Sequence, residues 1–375
     1  MQPLIRGAEC FHNCRKATRT FYKRAAFLHE GTVITADAGS RPVYMKTECL
    51  KMIEQADNVI TLTANEDTME IKKVSIIGLG ALGILFGNLL SKHMNPEDLR
   101  IIADRERIER YKRDGIFCNG EKCDFCYLLP EEPCEPADLL LFAVKFNALD
   151  DAVKAVRNQV GPDTIILSLL NGISSESIIG DAYGMEHLLC CVAQGMDAVK
   201  TGNQLTYSNT GMVCFGDFVP GVISAKTKAA ADFFKIMDIP FEVDTDMQRR
   251  IWGKFMLNVG VNQTTAVFET NYGGIQQEGK PRDTMIAAMR EVIRISEKEG
   301  INLTEEDLQY WLDIIKPLNP QNKPSLRQDT EARRPTEVDL FSGTVIQVGK
   351  KYGIPTPVNQ FLYDSIKAME STYGK

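Results

Sequence analysis

Two sets of residues in this chain have types and spacings that can do chemistry. Gly78-Leu79-Gly80-Ala81-Leu82-Gly83 follows the apolar run Val74-Ser75-Ile76-Ile77, and Lys254, Asn258 and Asn262 recur far downstream in Trp252-Gly253-Lys254-Phe255-Met256-Leu257-Asn258-Val259-Gly260-Val261-Asn262. A Gly-x-Gly-x-x-Gly loop that leaves a strand and opens a helix is a seat for a dinucleotide. Its first glycine permits a tight turn, its second lets the backbone approach a pyrophosphate, and its third lets helix and strand pack closely. The helix N-terminus then offers free N–H groups to the phosphates.

Residues four apart share a helix face. Lys254, Asn258 and Asn262 therefore form one polar stripe amid Phe255, Met256, Leu257, Val259 and Val261. Asparagine is costly in a mostly apolar helix, by propensity and by burial, and is tolerated when it meets a partner or a ligand. A plain amphipathic helix with this face in solvent is the bland alternative. A lysine in a partly desolvated cleft has a lowered pKa and donates a proton near neutrality. Hydride transfer to a ketone creates an alkoxide that needs such a proton, and an ammonium stabilises the developing charge. The two sets together point to a reductase with lysine as its acid. The four histidines, His12, His29, His93 and His187, sit in no recognisable motif, which argues against a histidine acid–base.

Asp104 lies about 20 residues beyond the glycine loop, where an acid binds the ribose 2′-OH of NAD. Arg105 follows it and Arg107 is near, and arginine there suits the 2′-phosphate of NADP. The expected cofactor is NADP (NADPH), with NAD left open by Asp104. A solvated helix face is the plain reading of both arginines.

These residues need elements to hold them. From Lys72 onward strands and helices alternate, which predicts a parallel sheet with crossover helices. Predicted strands are Val74–Ile77, Arg100–Ala103, Leu139–Val144, Thr164–Leu169 and Leu188–Val192, with Val213–Phe215 and Phe241–Val243 as further candidates. They read as continuous apolar runs, as strands covered on both faces do. Helices are expected at Ala81–Ser91 and Asn147–Asn158, and Gly115–Leu129 reads as a hairpin around Asn119-Gly120. After about Thr245 only helices are expected: Met247–Val267, Arg282–Glu299, Thr304–Ile315, Glu337–Tyr352 and Pro357–Ser371. The fold class is thus α/β plus all-α: a Rossmann-type doubly wound sheet over 69–245, then a helical substrate and catalytic domain over 246–375. A cleft between two such domains is a usual place for an active site.

Residues 1–68 differ in character. They hold scattered basic residues, Cys10 and Cys14, and no sustained apolar period. They read as an atypical, loosely ordered extension or as a stretch upstream of an unused start. Arg15, Lys16, Arg19, Lys23 and Arg24 also fit a mitochondrial presequence, a weaker option. The chain has 375 residues and a net charge of −7, so no global positive field draws it to nucleic acid or anionic lipid. No apolar run approaches the roughly 20 residues that span a bilayer, and no secretory h-region opens the chain. A cytoplasmic protein is expected, with a homodimer left open.

The order of motifs resembles that of the ketopantoate reductases (2-dehydropantoate 2-reductases). Gly78–Gly83, Val144-Lys145, Leu170-Asn171-Gly172, Lys254 to Asn262, and Ser325 to Glu337 recur in that family's sequence, over about residues 70–375. The resemblance implies reduction of 2-dehydropantoate to pantoate by NADPH, a step toward pantothenate and coenzyme A. By position it implies Lys254 as general acid and Glu337 as the acid that orders the lysine and substrate. Asn258, Asn262 and Ser325 would hold the substrate, Asn171 would lie near both nicotinamide and substrate, and Lys145 would lie on the cofactor side.

Bland readings stand beside these. Ser325-x-x-Gln328 has the form of a capping box, Glu337 sits where an acid favours a first helical turn, and Asn171-Gly172 is a good turn pair. In ungapped register Asp104 falls where many members carry the arginine for the 2′-phosphate, and Arg327 interrupts the Ser325–Asp329 stretch. Two rival readings remain: another reductase of this architecture, acting on a different 2-oxo acid or an imine, and a non-enzymatic dinucleotide sensor. A sensor has no need of the lysine stripe.

Ten cysteines are too sparse for a disulfide scaffold. Cys118, Cys123, Cys126 and Cys134 fall close in sequence, and Cys123-x-x-Cys126 has metal-ligand spacing. Buried hydrophobic thiols are the favoured reading, so no metal is expected.

Overall fold

The structure is a computed structural model and describes residues 69–373. The reading of the N-terminal extension lies outside the described residues. Twelve strands are described: β1 Val74–Ile77, β2 Leu99–Ile102, β3 Phe117–Cys118, β4 Glu121–Lys122, β5 Cys126–Leu128, β6 Leu139–Phe142, β7 Ile165–Ser168, β8 Leu188–Gln194, β9 Val199–Thr201, β10 Gln204–Thr206, β11 Met212–Gly216 and β12 Phe241–Val243. Eight of them form one sheet in the order β12-β11-β8-β7-β6-β1-β2-β5. β1 is parallel to both β2 and β6, so the strand order reverses at β1. The crevice at the carboxyl end of such a switch point is where open α/β sheets bind ligands.

Every residue of β1, β2, β6 and β7 is buried, as the apolar runs predicted. Alternate residues feed opposite faces. Val74, Ile76, Leu139 and Leu141 join Ile84 and Leu85 on one side. Ile77, Leu140 and Phe142 join Leu149, Val156 and Ile179 on the other. β8 continues the parallel set, but β11 runs antiparallel to it. The sheet is therefore mixed at that edge.

The helices are α1 Ala81–Leu90, α2 Arg105–Asp114, α3 Leu149–Ala155, α4 Ser175–Tyr183, α5 Ala225–Ile236, α6 Met247–Val267, α7 Tyr272–Gln276, α8 Lys280–Lys298, α9 Glu305–Ile315, α10 Ser325–Glu331, α11 Thr344–Tyr352 and α12 Pro357–Glu370. From α6 onward the chain is helical. α6 is its axis: Phe255, Met256 and Val259 are buried in a core shared with Met285 and Met289 of α8 and Trp311 of α9. Among the described residues no helix is long and apolar enough to cross a membrane.

Three expectations need correction. The hairpin expected over Gly115–Leu129 is confined to β3 and β4, with Asn119 and Gly120 at φ 48° and 85° as a primed turn demands. β5 leaves it and pairs with β2 in the large sheet, because its residues extend the β2 edge in parallel register. The helix expected over Asn147–Asn158 is a short α3 between two 3-10 turns, Phe146–Ala148 and Arg157–Gln159. The helix expected over Glu337–Tyr352 opens with a π turn, Asp339–Gly343, before α11.

Candidate functional site

The glycine loop leaves β1 at the switch point. Gly78 has φ +98°, and a Cβ there would lie 2.8 Å from the Ala143 carbonyl oxygen. A Cβ on Gly83 would lie 1.9 Å from the Gly78 carbonyl oxygen. The loop is folded so tightly on itself and on the end of β6 that side chains are excluded. Leu79, Ala81 and Leu82 turn into the core, and Gly80 precedes α1 without any side-chain cap. The first-turn amides of α1 are thus not taken by a capping side chain. The cradle fits a pyrophosphate.

At the end of β2, Asp104 has a local task that the sequence reading did not give it. Its carboxylate accepts the Arg107 backbone N–H at 2.8 Å and caps α2. The Arg107 guanidinium lies 3.4 Å from the same carboxylate. Arg105 stands exposed in the first turn beside it.

The lysine stripe lies on α6 as predicted, but its groups are engaged in different ways. Lys254 is half-buried, and its ammonium donates to the Ala193 carbonyl near the end of β8. Burial lowers its pKa to about 8, opposed by Cys191, Cys214 and Glu337. Burial pushes both thiols up, so they stay neutral where the lysine titrates. The Glu337 carboxylate is the opposing charge that counts.

Asn262 is buried and its amide is nearly used up. It donates to the Asn258 side-chain oxygen at 3.2 Å. Its own oxygen accepts the Ser325 hydroxyl at 3.1 Å and the Leu326 backbone N–H at 3.2 Å. An amide oxygen has two lone pairs, so both are filled. The capping box that Ser325-x-x-Gln328 could form is not made: Pro324 precedes α10, and the Ser325 hydroxyl goes to Asn262 instead. Gln328 donates to the Lys323 carbonyl at 2.8 Å. Asn262 orders Ser325 and Asn258.

Across from α6, Glu337 is enclosed by groups from both halves of the chain. Burial raises its pKa. The Lys145 ammonium, the Phe146 backbone N–H and the Asn171 side chain favour its anion, and Asp329 disfavours it. Lys145, just beyond β6, donates to Asp329 of α10 at 3.0 Å, and Arg334 holds the other Asp329 oxygen at 2.8 Å. Lys145 is thus tied to the helical half as well as lying beside the glycine loop's strand. The group in hydrogen-bond contact with the Lys254 ammonium is the Ala193 carbonyl, so Glu337 influences the lysine through charge.

Gly172 has φ +95°, and a Cβ there would lie 2.6 Å from Leu340 of the π turn. The Asn171-Gly172 turn therefore packs directly on the segment that follows Glu337. Sequence reasoning missed Ala193 and Leu340, since a backbone carbonyl and a core leucine carry no chemical signature.

The four clustered cysteines do not converge. Cys118 and Cys123 are buried, with the Cys123 thiol 3.6 Å from the Asn88 side-chain oxygen. Cys126 lies on β5, and Cys134 accepts from Gln159 at 2.9 Å. Among the described residues no three metal-ligating side chains gather.

Residues 74–219 match the family described as ketopantoate reductase PanE/ApbA, and residues 246–370 match its C-terminal part. The chain is 25% identical over 305 residues to a 2-dehydropantoate 2-reductase of Aquifex aeolicus, covering 80% of this chain and 97% of that one. It is 29% identical over 240 residues to a 2-dehydropantoate 2-reductase of Vibrio cholerae, covering 64% and 80%. Among solved structures, a D-mandelate dehydrogenase with NADH and anilino(oxo)acetate superposes with a TM-score of 0.72 at 23% identity, over 81% of this chain and 100% of that chain. A PanE/ApbA family ketopantoate reductase from Ralstonia eutropha JMP134 gives 0.69 at 21% identity, over 81% and 100%.

Proposed function

Because this chain belongs to the ketopantoate reductase family and is an NAD(P)-dependent oxidoreductase, we propose that it reduces 2-dehydropantoate to pantoate with NADPH. The observation that carries the reading is the half-buried Lys254, lowered to about 8 and held by the Ala193 carbonyl on the stripe with Asn258. When bound, the dinucleotide supplies a hydride. Gly78, Leu79, Gly80, Ala81, Leu82 and Gly83 would hold its pyrophosphate, with Arg105 at the 2′-phosphate and Lys145 and Asn171 nearer the reacting end.

The protein's own part is to place the substrate and to move one proton. Lys254 gives its proton to the former carbonyl oxygen of the substrate and becomes neutral. A pKa near the working pH favours that transfer. Before transfer the ammonium stabilises the charge growing on the oxygen. Asn258 and Ser325 orient the substrate's polar groups, and Asn262 holds the two in register. Glu337 supplies negative charge that keeps Lys254 protonated.

A second reading, a 2-oxo acid reductase that uses NADH, is favoured by one residue. Asp104 ends β2 with a carboxylate, which suits a ribose 2′-OH and repels a 2′-phosphate. Initial rates of NADPH and NADH oxidation with 2-dehydropantoate, beside a panel of other 2-oxo acids, separate the two. Fast NADPH turnover with dehydropantoate supports the proposal. Turnover only with NADH or another oxo acid removes the substrate or cofactor claim and keeps the mechanism. No turnover with any 2-oxo acid overturns it.

A further inference from the structure

The π turn after Glu337 has an identifiable cause. The Glu337 carbonyl accepts the N–H groups of Leu340 at 3.0 Å and Phe341 at 3.2 Å, and the Gly343 N–H reaches back to the Val338 carbonyl at 3.0 Å. In a regular α-turn the Ser342 N–H would take the Val338 carbonyl. Here it donates instead to the Gln263 side-chain oxygen at 3.0 Å. Gln263 and Ser342 are both fully buried. Gln263 is itself braced, since its amide donates to the Val259 carbonyl at 2.7 Å. A side chain inserted into a helical ladder is a recognised cause of such distortions, and π turns are frequent at functional sites.

The far side of the turn is also fixed. The Ser342 hydroxyl donates to the Asn359 side-chain oxygen at 2.9 Å, and the Asn359 amide donates to Glu291 at 2.8 Å and to the Ala288 carbonyl at 3.2 Å. Two residues of this segment meet the dinucleotide-binding half. Leu340 packs on Gly172, and Glu337 sits by Asn171, Phe146 and Lys145. Gln263 follows Asn262 on α6, so one helix carries the proposed acid, its asparagines and the brace for the opposing wall.

We infer that Gln263 is a positioning residue for the reductase reaction: by taking the Ser342 N–H it holds the π turn that sets Glu337 against Asn171 and Leu340 against Gly172. Without that acceptor the Ser342 N–H must return to the Val338 carbonyl. An α-turn in place of the π turn rotates the residues on its two sides relative to each other. The inference rests on the reductase reading given above, and its test keeps the two apart.

The test uses the full chain with Gln263→Leu, which removes the acceptor, and Gln263→Glu, whose buried carboxyl, held neutral, keeps an acceptor for the Ser342 N–H and a hydroxyl to donate to the Val259 carbonyl. The leucine chain is expected to lose about tenfold to a hundredfold in kcat through misplacement at the site, with a raised KM for the 2-oxo acid. Its dinucleotide Kd is expected to stay at the wild-type value, and amide exchange over residues 338–343 to quicken. The glutamate chain is expected to recover most of the kcat. A folded leucine chain with wild-type kcat, KM and exchange overturns the inference, as does a glutamate chain no better than leucine. If leucine prevents folding, Gln263→Asn withdraws the acceptor without adding bulk and is read in the same way. If the wild-type chain reduces no 2-oxo acid, the reductase reading falls, and the exchange over 338–343 still decides whether Gln263 holds the turn.

Discussion

Lys254 is where the chemistry is expected to concentrate, and its environment sets the pH response. The ammonium is the form that donates, so reduction is expected at full rate below about 8 and to fall as pH rises through it. Above that point the decline in kcat/KM should approach tenfold per pH unit, read in the free enzyme. Glu337→Gln removes the opposing charge, so the declining limb should move to lower pH. A limb that stays in place or moves up would mean that the two groups do not interact. Lys254→Ala is expected to reduce kcat by about a hundredfold to ten-thousandfold, with dinucleotide affinity unchanged by fluorescence titration. Asn262 is expected to act on stability as well. Asn262→Ala strands the buried Leu326 N–H, and its unfolding free energy in urea should fall by about 1–3 kcal/mol. No measurable loss would show that water replaces the amide.

Elements place these groups through close contact at a few points. The glycine loop works because β1, α1 and the end of β6 approach closer than side chains allow. Gly83→Ala puts a methyl 1.9 Å from the Gly78 carbonyl oxygen. Either the loop or α1 must shift, so dinucleotide binding is expected to be lost or severely weakened and the melting temperature lowered. Retained wild-type affinity, measured calorimetrically, would remove this loop from the cofactor site. α6 has the complementary role. Its apolar face is fixed in the helical core by Phe255, Met256 and Val259, which leaves Lys254 and Asn258 only partly buried.

At the scale of the whole molecule, the site is a seam between the sheet and the helices. Lys145 and Asp329 span it, with Arg334 on the second Asp329 oxygen. Lys145 is more than half exposed, so the pair contributes less to stability than to alignment. Asp329→Asn is expected to raise the KM for the oxo acid several-fold and to leave the melting temperature within a few degrees, because the proposed substrate groups lie on both sides. The KM effect should shrink as salt is added, since the wild-type pair is itself screened. A KM independent of this substitution would make the ion pair a surface contact without a part in the reaction.

How much of this could be read from residues alone differs by feature. The strands β1, β2, β6 and β7 were legible because doubly covered strands read as mainly apolar runs, broken here by Ser75, Arg100 and Ser168. α6 and its polar stripe were legible because helical spacing fixes which residues share a face. α5 was missed although Ser224 before an alanine-rich run was a usable start signal, and β9–β10 was missed although Gly202-Asn203 marks its turn. Other features had no local signal at all. The motif around Ser325 suited a substrate ligand or a helix cap alike, and the partner that takes its hydroxyl, Asn262, lies 63 residues away. The π turn is caused by a side chain 79 residues upstream, and Lys254 is held by a carbonyl 61 residues before it. By itself the sequence determined the glycine loop between strand and helix, the lysine and its helix face, because each follows from short-range spacing. Only the tertiary structure decided which partners engage them and how far burial lowers the lysine, because those depend on distances between segments remote in the chain.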